Sequence, residues 1–215
     1  MVKKILTFSV VLIGLVGCTT SQHVNIVNTY SLSPISYQKV GYKDEWKDLW
    51  PIVDFQDGVL VKIHPDSWES LTFGTKHCST NQSKFFIQFW SNTDTLIDFE
   101  KSYFVTEKED KVAIKSVFSL DQKETYFSSN NHSLLTKLRR TELAKNEILA
   151  LWESNNYQEL KKNSGALSLA LETERFVGCP RDKFKLFISF KHEGSDAQHG
   201  YWLYFAPIEF KAFSR

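Results

Sequence analysis

The chain has 215 residues, of which 26 are lysine or arginine and 25 are aspartate or glutamate, so its formal net charge is +1 at pH 7. This balance argues against a nucleic-acid-binding protein, which would carry a strong basic excess or a basic stripe. The compact basic cluster of Lys137, Arg139 and Arg140 falls where the sequence pattern predicts the solvent-exposed face of a helix. We therefore expect no nucleic-acid partner.

The N-terminus has the layout of a secretory signal. Lys3 and Lys4 give it a positive start, the run Ile5–Val16 is apolar, and small or apolar residues directly precede Cys18. The run is too short to be a transmembrane helix, which needs roughly 20 apolar residues. We predict that residues 1–17 are removed on export. The alternatives are an ordinary signal peptide with an incidental cysteine, or a buried core helix.

The four residues Leu15, Val16, Gly17 and Cys18 resemble the lipobox of bacterial lipoproteins. In that family the cysteine thiol is alkylated with diacylglycerol, the chain is cut before the cysteine, and the new amine is usually acylated. The resemblance therefore implies a lipid anchor at Cys18, and two or more acyl chains give stable membrane attachment. Thr19 stands where an aspartate commonly retains such proteins in the inner membrane, so the resemblance implies the periplasmic face of the outer membrane instead.

The remainder of the chain divides into a polar segment and one domain. Residues 18–40 are mostly polar and predict an extended tether, part of which could instead form an edge strand. Residues 41–215 are enough for one sizeable core and predict a single domain. Loss of residues 1–17 leaves 24 basic and 25 acidic residues, so charge alone implies no partner.

Two cysteines follow Cys18, namely Cys78 and Cys179. Neither belongs to a CxxC motif, and export to an oxidising periplasm favours a disulfide between them over a metal or redox pair. In the chain-entropy model, closing a loop of about a hundred residues contributes roughly 4 to 5 kcal/mol. The alternative is two separate buried thiols.

Period-two alternation of apolar residues predicts β-strands along most of the domain. Lys84–Trp90 is apolar on both sides, which predicts a central strand covered on both faces. The last strand could continue beyond Pro207 if it lies at a sheet edge, where a proline is tolerated. The other candidate strands are Val59–Ile63, Leu96–Phe104, Val112–Phe118, Leu167–Leu171, Phe184–Phe190 and Tyr201–Phe205.

Residues 133–162 interrupt this pattern, since alanine, leucine, glutamate and lysine replace β-branched and aromatic residues. The spacing predicts a helical insert, and the residues expected on its apolar face are Leu134, Leu138, Ile148, Leu149 and Trp152.

Seven or eight short strands with one helical insert predict an antiparallel β-sandwich. The strand, turn and strand pattern of residues 86–99 resembles that of small immunoglobulin-like lipoprotein domains, and this resemblance implies an immunoglobulin-like sandwich. A half-open barrel is the alternative architecture.

The sequence contains none of the GxSxG, P-loop, GxGxxG or HExxH signatures of common enzymes. The best metal candidates are His192, Asp196 and His199, which share the polar hairpin loop 191–200 and are ligand types that zinc accepts. The loop could equally be polar because it faces water. We predict no cofactor, and an enzyme is the less favoured class.

A further candidate is the pair of His64 with Asp66, or the pair of His77 with Cys78. A disulfide at Cys78 would exclude this thiol as a nucleophile, because the thiolate is the reactive species. Loop residues without a catalytic role explain both pairs more simply.

Trp46, Trp50 and Trp68 could form an aromatic platform for a sugar or peptidoglycan, or they could pack in the core. The function favoured by the sequence is a non-enzymatic binding or assembly module of the cell envelope. The membrane would hold it through the lipid at Cys18, and an envelope protein could be its partner. The alternatives are a metal-dependent hydrolase that uses the 192–199 loop and a sugar-binding module that uses the tryptophans.

Overall fold

The computed structural model describes residues 21–42, 49–55, 57–120, 125–128, 136–163 and 165–214. Most of the described residues lie in strands and few lie in helices, which confirms the prediction of a mainly β protein. The predicted lipidation residue Cys18, together with Trp46 and Leu134, lies outside the described residues.

The elements in the described part of the chain are fourteen strands and two helices. In chain order they are β1 Ser21–Ser31, β2 Gln38–Tyr42, β3 Val53–Asp54, β4 Val59–Pro65, β5 Trp68–Ser70, β6 Thr75–His77, β7 Lys84–Ser91, β8 Thr95–Thr106, β9 Lys111–Ser119, β10 Thr125–Ser128, β11 Thr136–Leu138, α1 Lys145–Glu153, α2 Tyr157–Asn163, β12 Leu167–Thr173, β13 Phe184–His192 and β14 His199–Ser214.

The strands pair in one continuous sheet. Its order is β3-β4-β7-β12-β9-β8-β13-β14-β1-β5-β6, with β10 beside β9, β11 beside β8 and β2 beside β14. Pairing along this path is antiparallel, and β2 runs parallel to β14. The sheet curls into a half-barrel, which is the arrangement that the sequence left as the alternative. The predicted immunoglobulin-like sandwich is not confirmed.

The main core fills the inside of the curl, and β7 shows how the sequence places it. Phe85, Ile87 and Phe89 alternate along this strand and are buried in the main core. Trp90, which follows Phe89 and points to the opposite side of the strand, is buried on the outer face, where α1 and α2 cover it. The prediction that Lys84–Trp90 is a central strand is therefore confirmed, since β7 pairs with β4 on one side and β12 on the other.

The helical insert is shorter than the predicted range of 133–162. Thr136–Leu138 is strand β11, in which Thr136 and Leu138 are buried and Lys137 points to solvent. Arg139 and Arg140 follow this strand and do not lie on a helix, so that part of the prediction is wrong. Period-two burial overrides the helix-favouring composition because β11 pairs with β8.

Helix α1 begins at Lys145 because a local cap satisfies its first turn. The carboxylate of Glu147 accepts a hydrogen bond from the backbone N–H of Ala144 at 2.7 Å, three residues before it. Ile148 and Trp152, four residues apart, then lie on the buried face of the helix as predicted.

The predicted polar tether over 18–40 is wrong for Ser21–Ser31, and the alternative of a strand is confirmed. β1 pairs with β14 along its whole length and with β5 at Asn25 and Ile26. Ile26 and Tyr30 are buried despite the polar composition of the segment. The first described strand therefore begins three residues after Cys18.

Pro207 lies inside β14, and the pairing explains why it is tolerated. On the side away from β1, β14 pairs with β13 as far as Phe205 and with β2 from Ile208 onwards. Pro207 falls between these two partners, so that flank is a local sheet edge, as the sequence requires.

The disulfide between Cys78 and Cys179 is present, and it joins two positions that are 101 apart in the sequence. Cys78 directly follows β6 at one end of the sheet path, and Cys179 lies in the connection between β12 and β13. The bond therefore ties the terminal hairpin to the middle of the fold, and the predicted pairing is confirmed.

The two ends of the curled sheet meet where β1 approaches β4. The hydroxyl of Tyr30 accepts a hydrogen bond from the backbone N–H of Ile63 at 2.8 Å and donates one to the carbonyl of Pro51. Beside it, the indole N–H of Trp50 donates to the carbonyl of Asn28 at 3.1 Å. Burial raises the pKa of Tyr30 far above its ordinary value, so the hydroxyl stays neutral.

Replacing Tyr30 with phenylalanine keeps the ring in the core but removes the acceptor of the Ile63 N–H. A buried donor without a partner costs about 1–3 kcal/mol, so we expect the free energy of unfolding to fall by that amount. Urea denaturation measures the change. Tyr37→Phe is the matched control, because the Tyr37 hydroxyl bonds to Glu209 at an exposed position. Equal losses in the two variants would contradict a special role for Tyr30.

Candidate functional site

The 192–199 loop brings its two histidines together, with their ring centroids 5.3 Å apart. His192 Nδ1 lies 2.9 Å from the hydroxyl of Thr93, and His199 Nδ1 lies 3.1 Å from the carboxylate of Asp57. Asp196 is exposed. Within the described ranges, no group of three or more histidine, cysteine, aspartate or glutamate side chains is placed to hold a metal ion. The hypothetical zinc site of His192, Asp196 and His199 is therefore not formed.

The pair of His77 with Cys78 also lacks a nucleophile. Cys78 is bonded to Cys179, and a disulfide sulfur cannot act as a thiolate. His77 Nε2 lies 3.7 Å from the carboxylate of Asp66, in a pair that is largely open to solvent. This pair is explained as a surface contact.

Trp50 packs in the core, which is the alternative to an aromatic platform that the sequence offered. Its side chain is only 7% exposed, because the indole packs between β1 and β4 next to Tyr30. Trp68 is 44% exposed on β5. Since one ring is in the core and the other on the surface, Trp50 and Trp68 offer no common face to a sugar.

The structure shows a different site, a cleft of about 810 Å³ on the outer face of the sheet. Its floor comes from β4, β7 and β12, and its wall comes from α1 and α2. The charged side chains that line it are those of Lys62, Lys161 and Lys162, and the aromatic ones are those of His64, Phe86, Trp90, Trp152 and Tyr157.

The register of β4 against β7 determines which side chains form the floor of this cleft. Alternation on β4 buries Val61 and Ile63 in the main core and turns Lys62 outward. In the pairing of β4 with β7, Lys62 stands opposite Gln88 and His64 opposite Phe86, so the outward side chains of both strands form one surface.

Helix packing forms the wall. Ile148, Trp152 and Leu160 of the two helices pack against Leu60 and Trp90 of the sheet in a second, smaller hydrophobic cluster. This cluster holds both helices on the outer face and leaves the cleft beside it. Trp152 and Tyr157 meet with ring centroids 5.1 Å apart and form an aromatic corner of the cleft.

Lys62 contacts this aromatic corner. Its ammonium lies 4.2 Å from the centroid of the Trp152 ring, within the range of a cation–π contact. Burial lowers the pKa of Lys62 to about 8, since desolvation penalises the charged form. A lysine with a lowered pKa in a cleft is a common feature of functional sites.

Burial also lowers the pKa of His64, more than the nearby carboxylate of Asp66 raises it. The imidazole is therefore neutral at pH 7, and its ring packs edge-on against Trp50 at a centroid distance of 4.2 Å. The charged side chains among the described lining residues are those of the three lysines, and none of these lining residues is an aspartate or glutamate.

This arrangement suits the binding of an anion that also has a flat apolar face. Ammonium groups form charge-assisted hydrogen bonds with carboxylate or phosphate oxygens, while the rings of Trp152 and Tyr157 can pack against a sugar or aromatic ring. The hydroxyl of Ser168 accepts a hydrogen bond from the Gln88 amide at 3.3 Å, which adds a polar pair to the floor.

Sequence reasoning missed this site, although one signal for it was present. The alternation of Val59, Val61 and Ile63 already places Lys62 on the opposite face of the strand. What the sequence did not contain was the position of the helices over that face, which depends on tertiary packing.

Comparison with protein-family models gives no match for this chain. Comparison with curated proteins likewise finds no similar sequence. Neither helix in the described part of the chain has the length and apolar character needed to cross a bilayer.

We expect the Lys62 ammonium to titrate near pH 8, well below an unperturbed lysine at about 10.4. Because the unfolded chain then holds this proton to a higher pH than the folded one, the contribution of Lys62 to stability rises with pH between about 8 and 10.4. The chemical shift of its Cε carbon in NMR measures the titration directly, and Lys62→Gln identifies the signal by removing it. A midpoint above pH 10 would contradict the burial argument.

Proposed function

We propose that this protein is a lipoprotein of the cell envelope, anchored to the outer membrane through Cys18 and facing the periplasm. The support comes from the lipobox resemblance of residues 15–18 and from the disulfide between Cys78 and Cys179, since disulfides persist in oxidising compartments. The first described strand begins at Ser21, three residues after the proposed anchor.

We propose that the domain is a non-enzymatic binding module and that its ligand occupies the cleft between the helices and the outer face of the sheet. The observation that carries this proposal is the combination of Lys62, Lys161 and Lys162 with aromatic walls, and with no carboxylate among the described lining residues. A buried or half-buried cation without a carboxylate partner favours an anionic ligand.

The absence of carboxylates from the described lining of the cleft also argues for binding over catalysis. General acid–base chemistry needs a proton donor or acceptor held in place by a second group, and an imidazole is commonly oriented by a carboxylate. The cleft contributes His64, but none of its described lining residues is an aspartate or glutamate.

The ligand class follows from the chemistry of the walls. We infer a molecule that carries a carboxylate or phosphate and presents a flat apolar face, such as the face of a sugar ring. Acidic glycans of the envelope have this chemistry. In this proposal the aromatic residues that contact the sugar are Trp152 and Tyr157, in place of Trp50 and Trp68.

The anchor is tested on protein purified from native membranes. We expect mass spectrometry to show that residues 1–17 are absent and that Cys18 carries diacylglycerol. Cys18→Ser should move the protein from the membrane to the soluble fraction, because stable attachment needs two or more acyl chains. Thr19→Ser, at the neighbouring position, serves as the control and should stay in the membrane. An intact, unmodified leader would contradict the proposal.

The cleft is tested with anilinonaphthalene sulfonate, a fluorescent anion with aromatic rings. We expect Lys62→Gln to weaken its binding about tenfold, since a hydrogen bond to a charged group contributes about 1.5–3 kcal/mol and 1.4 kcal/mol is tenfold in affinity. Lys115→Gln, at an exposed position on β9, is the matched control and should bind as the parent does.

Two outcomes of the dye titration would contradict the cleft as the binding site. One is an equal affinity in Lys62→Gln and the parent protein. The other is an equal loss in Lys62→Gln and Lys115→Gln, which would indicate a general effect of charge. The affinity of the parent protein for the dye should also fall as the pH rises through about 8, where Lys62 loses its proton.

A further inference from the structure

The hairpin formed by β5 and β6 ends in an exposed apolar tip. Phe73 is 64% exposed and Leu71 is 40% exposed, and Phe73 is the most exposed large apolar side chain of the described residues. The tip contains no charged residue from Ser70 to Thr75, and Gly74 closes the turn with a positive φ of 62°. Adjacent exposed apolar side chains of this kind mark an interaction surface.

The tip is fixed to the first residues of β1. The backbone N–H of Leu71 donates to the carbonyl of Val24 at 2.8 Å, and the N–H of Val24 donates to the hydroxyl of Thr72 at 2.8 Å. The ring of Phe73 packs against that of His23, with centroids 4.6 Å apart. These contacts hold the tip at the end of the domain where the chain enters the fold.

The position of this end relative to Cys18 limits how far the tip can lie from a membrane. Ser21 is three residues after Cys18, so a fully extended connection spans at most about 11 Å. Strand geometry places Val24 about 10 Å beyond Ser21. A lipid on Cys18 would therefore hold the tip within about 20 Å of the bilayer surface.

We propose that Leu71 and Phe73 enter the interfacial region of the bilayer beside the lipid anchor, so that the hairpin tip is a second membrane contact. This inference rests on the proposed lipidation of Cys18. Trp68, at the base of the hairpin and 44% exposed, then lies where aromatic side chains are favoured at membrane interfaces.

The charges at the base of the hairpin agree with this placement. Glu69 would be repelled by anionic lipids, but both of its carboxylate oxygens accept hydrogen bonds from Arg181, at 2.7 and 2.8 Å. This pairing lowers the pKa of Glu69 and balances its negative charge. Lys76 stands opposite Glu69 in the hairpin and adds a positive charge that an anionic surface attracts.

The test uses the mature lipidated protein in vesicles of phosphatidylethanolamine and phosphatidylglycerol, prepared with and without bromine atoms on the acyl chains. Phe73→Trp adds an emitter at the tip, and Leu120→Trp adds one at a position in the cleft that is 46% exposed. We expect brominated chains to abolish the added emission of Phe73→Trp and to leave that of Leu120→Trp unchanged.

The outcomes separate the hairpin from the anchor. If Cys18 is acylated and Phe73→Trp keeps its emission, the tip faces water or a protein partner, and the membrane contact is overturned while the anchor stands. Equal quenching of both variants also overturns a contact specific to the tip. If mass spectrometry of the same sample shows an unmodified Cys18, the anchor fails and the hairpin inference fails with it.

Discussion

The hydrogen bond from the Ile63 backbone to the Tyr30 hydroxyl is the contact on which the rest of this fold depends. A sheet that curls without closing leaves two edges facing each other across its core, and each buried edge group needs a partner. Here the backbone N–H of Ile63 on β4 points toward β1. The hydroxyl of Tyr30 accepts its hydrogen bond, in place of the backbone carbonyl of a neighbouring strand. Because the same hydroxyl donates to Pro51, one buried group joins three backbone segments.

This closure also prepares the outer cleft. With its inward residues Val61 and Ile63 fixed in the core, β4 becomes a rigid floor whose opposite face carries Lys62 and His64. A small apolar cluster is enough to hold helices α1 and α2 beside that floor. The ammonium of Lys62 then lies between the ring of Trp152 and the solvent. The half-buried cation is thus a consequence of how the strand is held, and its lowered pKa follows from the same geometry.

The sequence predicted those parts of the fold whose burial pattern is local. Lys84–Trp90 was assigned correctly because its apolar residues occupy both faces of the strand. A strand at β1 was predicted only as an alternative to a tether, because the buried positions of β1 include the polar Asn28 and Thr29. The amide of Asn28 donates to the carbonyl of Asp182 at 2.9 Å, a partner 154 residues away that no local pattern contains. The cleft could not be predicted for the same reason, since its wall comes from helices that lie far from β4 in sequence.

β1 links the core closure to the end of the domain where the chain enters. Tyr30, near one end of this strand, closes the half-barrel, while Val24, about 20 Å away along it, binds the β5–β6 hairpin tip. A flexible lipid anchor alone would leave the domain free to rotate, whereas an anchor and a second contact on the same strand would restrict that rotation. Since the Tyr30 contact fixes β1 against β4, and β4 is the floor of the cleft, the proposed membrane contact would also fix the direction in which the cleft faces. The polar composition of β1, which concealed it in the sequence, is compatible with this role because its buried polar side chains bond to distant backbone groups.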